Sequence, residues 1–362
     1  MPALNIYAGS LARRHIEQHG LRPADVGVIP AAAGGPKGLI LGPLDRFVFG
    51  QWLVRSAQPV DLVGASIGAW RMAAACMADP VAAFQALEIG YIHGDMTAPP
   101  GRKLPAPAQV SAAFAQNLRT MFEGQVPALL AHRRYRLHVL ASRGRHVLLG
   151  RERWARTAVG YLGAALTNAV SRRAMGHWLE RVVFSRADTA GQPAPLPFAT
   201  QDYLTRQVLL TAENFYLALQ ASGSIPFVLQ AVHDIAGAPP GAYWDGGITD
   251  YHLHLHYTTS KKSPLVLYPH FQQAVVPGWL DKPWRRRHRA TAALDAMLLL
   301  APSPDWVRTL PGGKLPDRTD FQRLSHPERV LAWASAVSAA QQLADEFADW
   351  LVRPDLARVQ VL

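Results

Sequence analysis

The 362-residue chain is 49% hydrophobic and 17% charged, long enough to bury a large core as one α/β domain or as a domain with an appendage. Lys and Arg outnumber Asp and Glu by 37 to 26, a formal charge of +11 that suits anionic partners such as lipid headgroups, nucleic acid or an acidic protein. Cys76 is the single cysteine, which excludes an internal disulfide, fits a reducing compartment and reads as a small core residue.

Residues 1–20 carry Arg13, Arg14, His15, Glu17 and His19 where a secretory leader needs its apolar core. No run of about 18 uncharged apolar residues occurs, so neither a leader nor a spanning helix is expected, and a cytoplasmic protein follows, in solution or peripheral on a membrane surface. Residues 7–19 read as a first helix marked by Leu11 and Ile16, and residues 26–33 as a strand with β-branched Val26, Val28 and Ile29. Gly34-Gly35-Pro36-Lys37-Gly38 comes next, then a helical apolar pattern at Leu39, Ile40, Leu44 and Phe47. Residues 60–63 form a strand interrupted only by Asp61, and residues 67–77 a helix. Beyond a Pro-rich loop at 97–107, residues 109–122 have helical periodicity, and 136–141 reads as a strand. Residues 155–186 carry a second helical pattern with interleaved arginines, and within the chain 158–170 and 290–302 read as amphipathic or buried helices. A Pro-rich break at 191–197, a strand at 265–268 and one long or two shorter helices over 325–352 complete the pass. Strand, turn and helix in repetition predict an α/β layered sheet with helical insertions and a helical C-terminal extension.

Three short elements carry chemistry. Gly64-Ala65-Ser66-Ile67-Gly68 lies between a strand and a helix, the layout of a nucleophile elbow in which small neighbours let the serine hydroxyl project clear. A plain tight turn would also produce this sequence, so its surroundings decide. Gly34–Gly38 is a glycine-rich strand-to-helix turn that exposes backbone amides at a helix start, suited to a phosphate or to the oxyanion of acyl transfer. It has neither the P-loop nor the dinucleotide spacing. Asp245-Gly246-Gly247 is a turn signal, and a carboxylate at a strand end can take the proton of a serine nucleophile.

In this order the three elements resemble those of the patatin-like phospholipase family, and Ala221-Ser222-Gly223-Ser224-Ile225-Pro226-Phe227 resembles that family's Ala-Ser-x-Ala-Ile-Pro segment. The resemblance runs over residues 26–270. It implies a three-layer α/β/α fold and hydrolysis of a lipid acyl ester, with Ser66 as nucleophile, Asp245 as general base, and Gly34, Gly35, Lys37 and Gly38 around the oxyanion. No cofactor, metal or histidine is required. Two departures stand out: Ala33 occupies the first of the family's three glycines, and Pro36 has no N–H to donate. The intrinsic pKa of an aspartate, about 4, lies far below that of serine, so burial and geometry must close part of the gap.

Two other classes stay open. A Ser-His-Asp esterase of the α/β-hydrolase type runs serine, acid, histidine along the chain, and His252, His254, His256 and His270 all follow Asp245. Alternate histidines on a strand would share one face, yet no cysteine or paired carboxylate completes a metal site there, so an exposed polar strand or loop is expected. A catalytically silent membrane-binding protein is the other class. Trp284-Arg285-Arg286-Arg287-His288-Arg289 is a dense basic run, and Trp279, Trp284, Arg285, Arg286, Arg287 and Arg289 suit peripheral contact with an anionic membrane better than nucleic acid. The expected division is a catalytic region at 1–275 and a basic loop with helical extension at 276–362.

Overall fold

The computed structural model describes residues 2–94 and 105–362. Strand β1 (Leu4–Ala8) leads into α1 (Ser10–His19), and β2 (Val26–Ala31) passes through a 3₁₀ segment (Gly35–Leu41) into α2 (Gly42–Phe47). Strand β3 (Val60–Ala65) is followed by α3 (Ile67–Ala75), α4 (Pro80–His93), α5 (Pro107–Phe122) and α6 (Val126–Leu130). Next come β4 (Tyr135–Gly144), α7 (Trp154–Val170), β5 (Leu179–Ser185), β6 (Thr205–Leu209), α8 (Phe215–Gly223), β7 (Val232–His233) and β8 (Ala242–Asp245). The last third holds β9 (Leu265–Pro269), β10 (Met297–Pro302), α9 (Pro304–Val307), α10 (Asp320–Arg323), α11 (His326–Ala339), α12 (Gln341–Val352) and β11 (Val359–Val361).

These strands form one mixed sheet in the order β11-β1-β10-β9-β2-β3-β4-β5-β6, with β8 against β4 and β7 against β8. Neighbours from β10 through β4 are all parallel. Every residue of β3, β5, β9 and β10 is buried, the pattern of strands covered on both faces. Helices supply that cover, and the fold is a three-layer α/β/α sandwich. No described helix is long and apolar enough to cross a membrane.

The structure departs from the sequence reading in three places. Tyr7 and Ala8 belong to β1, paired with Leu299 and Leu298 of β10, and the helix starts only after Gly9. Its inward face is Ala12 and Ile16, while Leu11 is exposed. Residues 179–185, expected as the end of a helical stretch, are β5, paired with β4 and β6. Glu180 and Arg181 hid this strand by breaking its apolar run, yet both are buried on ion-pair partners. Residues 290–302 are not a helix: Met297–Pro302 is a central strand, and an unbroken apolar run has no periodicity to tell it from a buried helix. Residues 325–352 resolve into α11 and α12, split at Ala340. Of the expected loop at 97–107, residues 97–104 lie outside the described residues. Cys76 is a core residue whose thiol burial pushes up to about 12.

Candidate active site

Strand register brings Ser66 and Asp245 together. Strand β5 occupies one edge of β4 along residues 138–144. On the other edge β3 runs parallel to β4 as far as Ala65 opposite Leu140, and β8 runs antiparallel and ends with Asp245 opposite Ala141. The two strands therefore point their carboxyl ends at each other along one edge. Ser66 is the first residue past β3, and its Oγ donates to Asp245 Oδ2 at 2.7 Å.

The backbone at Ser66 is held in a sparsely populated conformation, φ 57° and ψ −129°. A non-glycine residue there stores of order 1–3 kcal/mol, which surrounding contacts must hold in place. At Gly68 a Cβ would fall 1.9 Å from the Ala31 carbonyl oxygen, so only glycine lets α3 approach the end of β2. The Ser66 N–H donates to Ser222 Oγ at 2.9 Å, and Ser222 Oγ donates on to the Leu140 carbonyl at 2.6 Å. Two residues later the Ser224 carbonyl accepts the Asp245 N–H at 2.8 Å. The C-terminal end of α8 and its cap residue thus clamp both the elbow and the aspartate, a role that residue types alone do not reveal.

Asp245 is itself tightly held. Its Oδ1 accepts the Gly247 N–H at 2.7 Å, and its carbonyl accepts Ser142 Oγ at 2.9 Å. Burial pushes its carboxyl above the ordinary carboxylate range, against the pull of the Ser66 hydrogen bond and of the Arg318 charge. That direction raises its basicity toward a serine proton.

The glycine-rich turn faces the same place. Ala33 keeps an ordinary backbone and donates its N–H to the Tyr251 carbonyl at 3.0 Å, and the left-handed residue is Gly35, φ 56°. Lys37 and Gly38 lie inside the 3₁₀ segment, whose i→i+3 ladder uses their amides. Among the described residues the amides of Gly34 and Gly35 donate to no protein acceptor. A cavity of about 240 Å³ opens here, lined in part by Gly34, Lys37, Asp245, Tyr251, Lys282 and Arg318. Sequence reading missed Lys282 and Arg318, which come from distant loops. The Lys282 ammonium sits 4.0 Å from the centre of the Tyr251 ring; partial burial, with Arg318 and Lys37 nearby, pulls its pKa down to about 8. Burial also lowers Lys37, against the opposing charge of Asp317. Asp317 is engaged by Lys314 at 2.8 Å, and among the described residues Lys37, Lys282 and Arg318 have no ion-pair partner.

The histidines lie elsewhere. Residues 252–256 form an irregular loop, with Leu253 at φ 51°, so the histidines share no strand face, and the loop is less exposed than expected. His252 is a core residue whose Nδ1 meets the Ala274 carbonyl and the Val276 N–H. His270 packs edge-on against it at 4.4 Å, and burial drives the pKa of His270 down to about 3. His254 is half-buried on the Val275 carbonyl and Thr291, and only His256 of the triplet is exposed. None of these side chains hydrogen-bonds to Ser66 or Asp245. In the basic run Arg285, Arg286 and Arg289 are exposed and Trp284 is half-buried. Arg287 is tied to Asp281 at 2.7 Å and to the Ala169 carbonyl at 3.1 Å, and Trp279 lines the cavity.

No family model and no curated protein matches this chain. Among solved structures it is similar to human GIVD cytosolic phospholipase A2, at 12% identity and a TM-score of 0.29 over 96% of this chain. The chain spans 62% of the length of that structure.

Proposed function

We propose that this chain is a serine acyl hydrolase of the patatin-like kind, cleaving the fatty-acyl ester of a phospholipid or related anionic lipid through a Ser66–Asp245 dyad. The observation that carries the reading is the 2.7 Å hydrogen bond from Ser66 Oγ to a buried carboxylate, on a strained elbow beside a cavity. Ser66 Oγ attacks the ester carbonyl while its proton passes to Asp245 Oδ2. The amides of Gly34 and Gly35 hold the developing oxyanion, with the N-terminal dipole of α3 adding to the field at Ser66 and the Lys37 charge nearby. Collapse expels the alcohol, which takes the proton from Asp245 and leaves an acyl-Ser66. Water then repeats the cycle and releases the fatty acid.

The substrate class follows from the cations. Lys37, Lys282 and Arg318, free of ion-pair partners among the described residues, suit an anionic group attached close to the scissile ester. Fluorophosphonate labelling tests the chemistry: wild type labels and Ser66→Ala does not, and a panel of phospholipids, neutral glycerides and simple esters then ranks the substrates. Labelling that persists in Ser66→Ala would overturn the assignment.

The pH dependence should have two limbs of opposite origin. Asp245 must be ionised to accept a proton, so kcat/KM falls as pH drops through its raised pKa. Arg318 pulls that pKa down, so Arg318→Gln moves the acid limb to higher pH. On the alkaline side Lys282 loses its charge as pH rises through about 8, and KM for an anionic ester climbs there while KM for a neutral ester does not. A Lys282→Gln variant should lack this alkaline rise. If wild type and variant give the same alkaline profile, Lys282 has no part in substrate binding.

A further inference from the structure

Helix α7 is apolar on two opposite sides. Its inner side is Thr157, Gly160, Tyr161, Ala164 and Asn168, with Tyr161 edge-on to Phe227 and Trp244 at 6.1 and 6.0 Å. Its outer side carries Val159, Leu162, Leu166 and Val170, spaced three or four apart and 57, 60, 64 and 88% exposed. A surface helix ordinarily turns polar residues outward, and among the described residues nothing covers this row. Trp154, 76% exposed, begins the patch, and its ring lies 6.5 Å from that of the partly exposed Phe227. Phe227 follows Pro226, which lines the cavity beside Asp245. The apolar surface therefore reaches the cavity wall.

Charge identifies what covers this face. From residue 153 to residue 179 the chain has no Asp or Glu, while Arg153, Arg156 and Arg173 are exposed around the row. At its far end the bond from Arg287 to the Ala169 carbonyl holds the basic turn, with its exposed Arg285, Arg286 and Arg289, against the C-terminal end of α7. Two copies packed face to face would press these arginines together. An anionic bilayer satisfies both features: the apolar row enters the headgroup boundary and the arginines meet lipid phosphates. We propose that the outer face of α7, bordered by these arginines, docks the protein on an anionic lipid bilayer and brings the cavity mouth to the membrane surface. This goes beyond the hydrolase reading and stands independently of it.

The test is sedimentation of the full chain with vesicles of phosphatidylcholine, alone or mixed with phosphatidylserine. Wild type should bind the mixed vesicles in a salt-sensitive way and the neutral ones weakly. Replacing Leu162, Leu166 and Val170 together by serine should weaken that binding by about tenfold or more. Because these side chains are exposed, the variant should keep the wild-type melting temperature. Arg153→Gln, Arg156→Gln and Arg173→Gln together should flatten the salt dependence. Ser66→Ala should bind as wild type does, so failure of active-site labelling would leave docking untouched. Undiminished binding of the serine variant overturns the proposal, as does equal binding to both vesicle types. A chain that ignores vesicles but forms dimers abolished by the serine substitutions would show that a second copy covers this face.

Discussion

Asp245→Asn is expected to lower kcat by about four orders of magnitude or more, close to the loss in Ser66→Ala. The near-equality of the two losses is the informative part. In a Ser-His-Asp triad the histidine carries the proton and the acid only orients it, so losing the acid costs less than losing the serine. Here the carboxylate oxygen itself accepts the Ser66 hydrogen bond, and His252, His254, His256 and His270 are bonded or packed elsewhere. Among the described residues no second base hydrogen-bonds to Ser66 Oγ. An asparagine at 245 can still accept the Gly247 N–H, which preserves the turn, but its amide would donate to Ser66 Oγ where a base must accept. Steady-state turnover of a chromogenic ester, corrected for active fraction, measures both variants. If Asp245→Asn stays within about tenfold of wild type, Asp245 is not the general base.

Why Ser66 and Asp245 stand out in the sequence, and the residues around them do not, has a physical cause. The elbow is legible because a strained serine between a strand and a helix needs small neighbours, and Gly68 records the approach of Ala31 directly. Asp245 is legible for a similar local reason, the turn that follows it. Their meeting is not local: 179 residues separate them, and contact depends on β3 and β8 sharing one edge of β4. Lys282 and Arg318 are invisible for the same reason, since nothing in their neighbourhoods marks a cavity wall built by the fold. Strands β5 and β10 were hidden differently. In β5 buried ion pairs imitate surface polarity, and in β10 a continuous apolar run suits either secondary structure. Helix α7 reads correctly as helical, but its two apolar sides look like one buried helix until the sheet shows which side it covers.

Arg71→Met is the second large effect, and it acts on stability. Arg71 looks misplaced in the Ala- and Met-rich α3, and Asp45 equally so in α2. They form a bidentate pair at 2.7 and 2.8 Å with side chains only 4% and 1% exposed. The pair joins the helix leaving the glycine-rich turn to the helix leaving the elbow, so it fixes the two halves of the site relative to each other. Removing the arginine leaves a carboxylate buried without its partner, a loss of about 3–5 kcal/mol at neutral pH that a urea midpoint would register. The loss should depend on pH with a definite sign. Burial pushes the Asp45 carboxyl above its ordinary 3.8 and the Arg71 charge opposes this, so the variant's folded-state pKa rises further. Below the unfolded-state pKa both states hold the proton and the penalty is smallest. It grows as pH rises toward the raised folded-state pKa and is constant above it. Converting both partners, Asp45→Leu with Arg71→Met, removes the orphaned charge and should recover most of the loss with no such pH dependence. A single variant destabilised equally at every pH would mean that Arg71 matters through the packing of its stem, and that the site's two halves are held by something other than this ion pair.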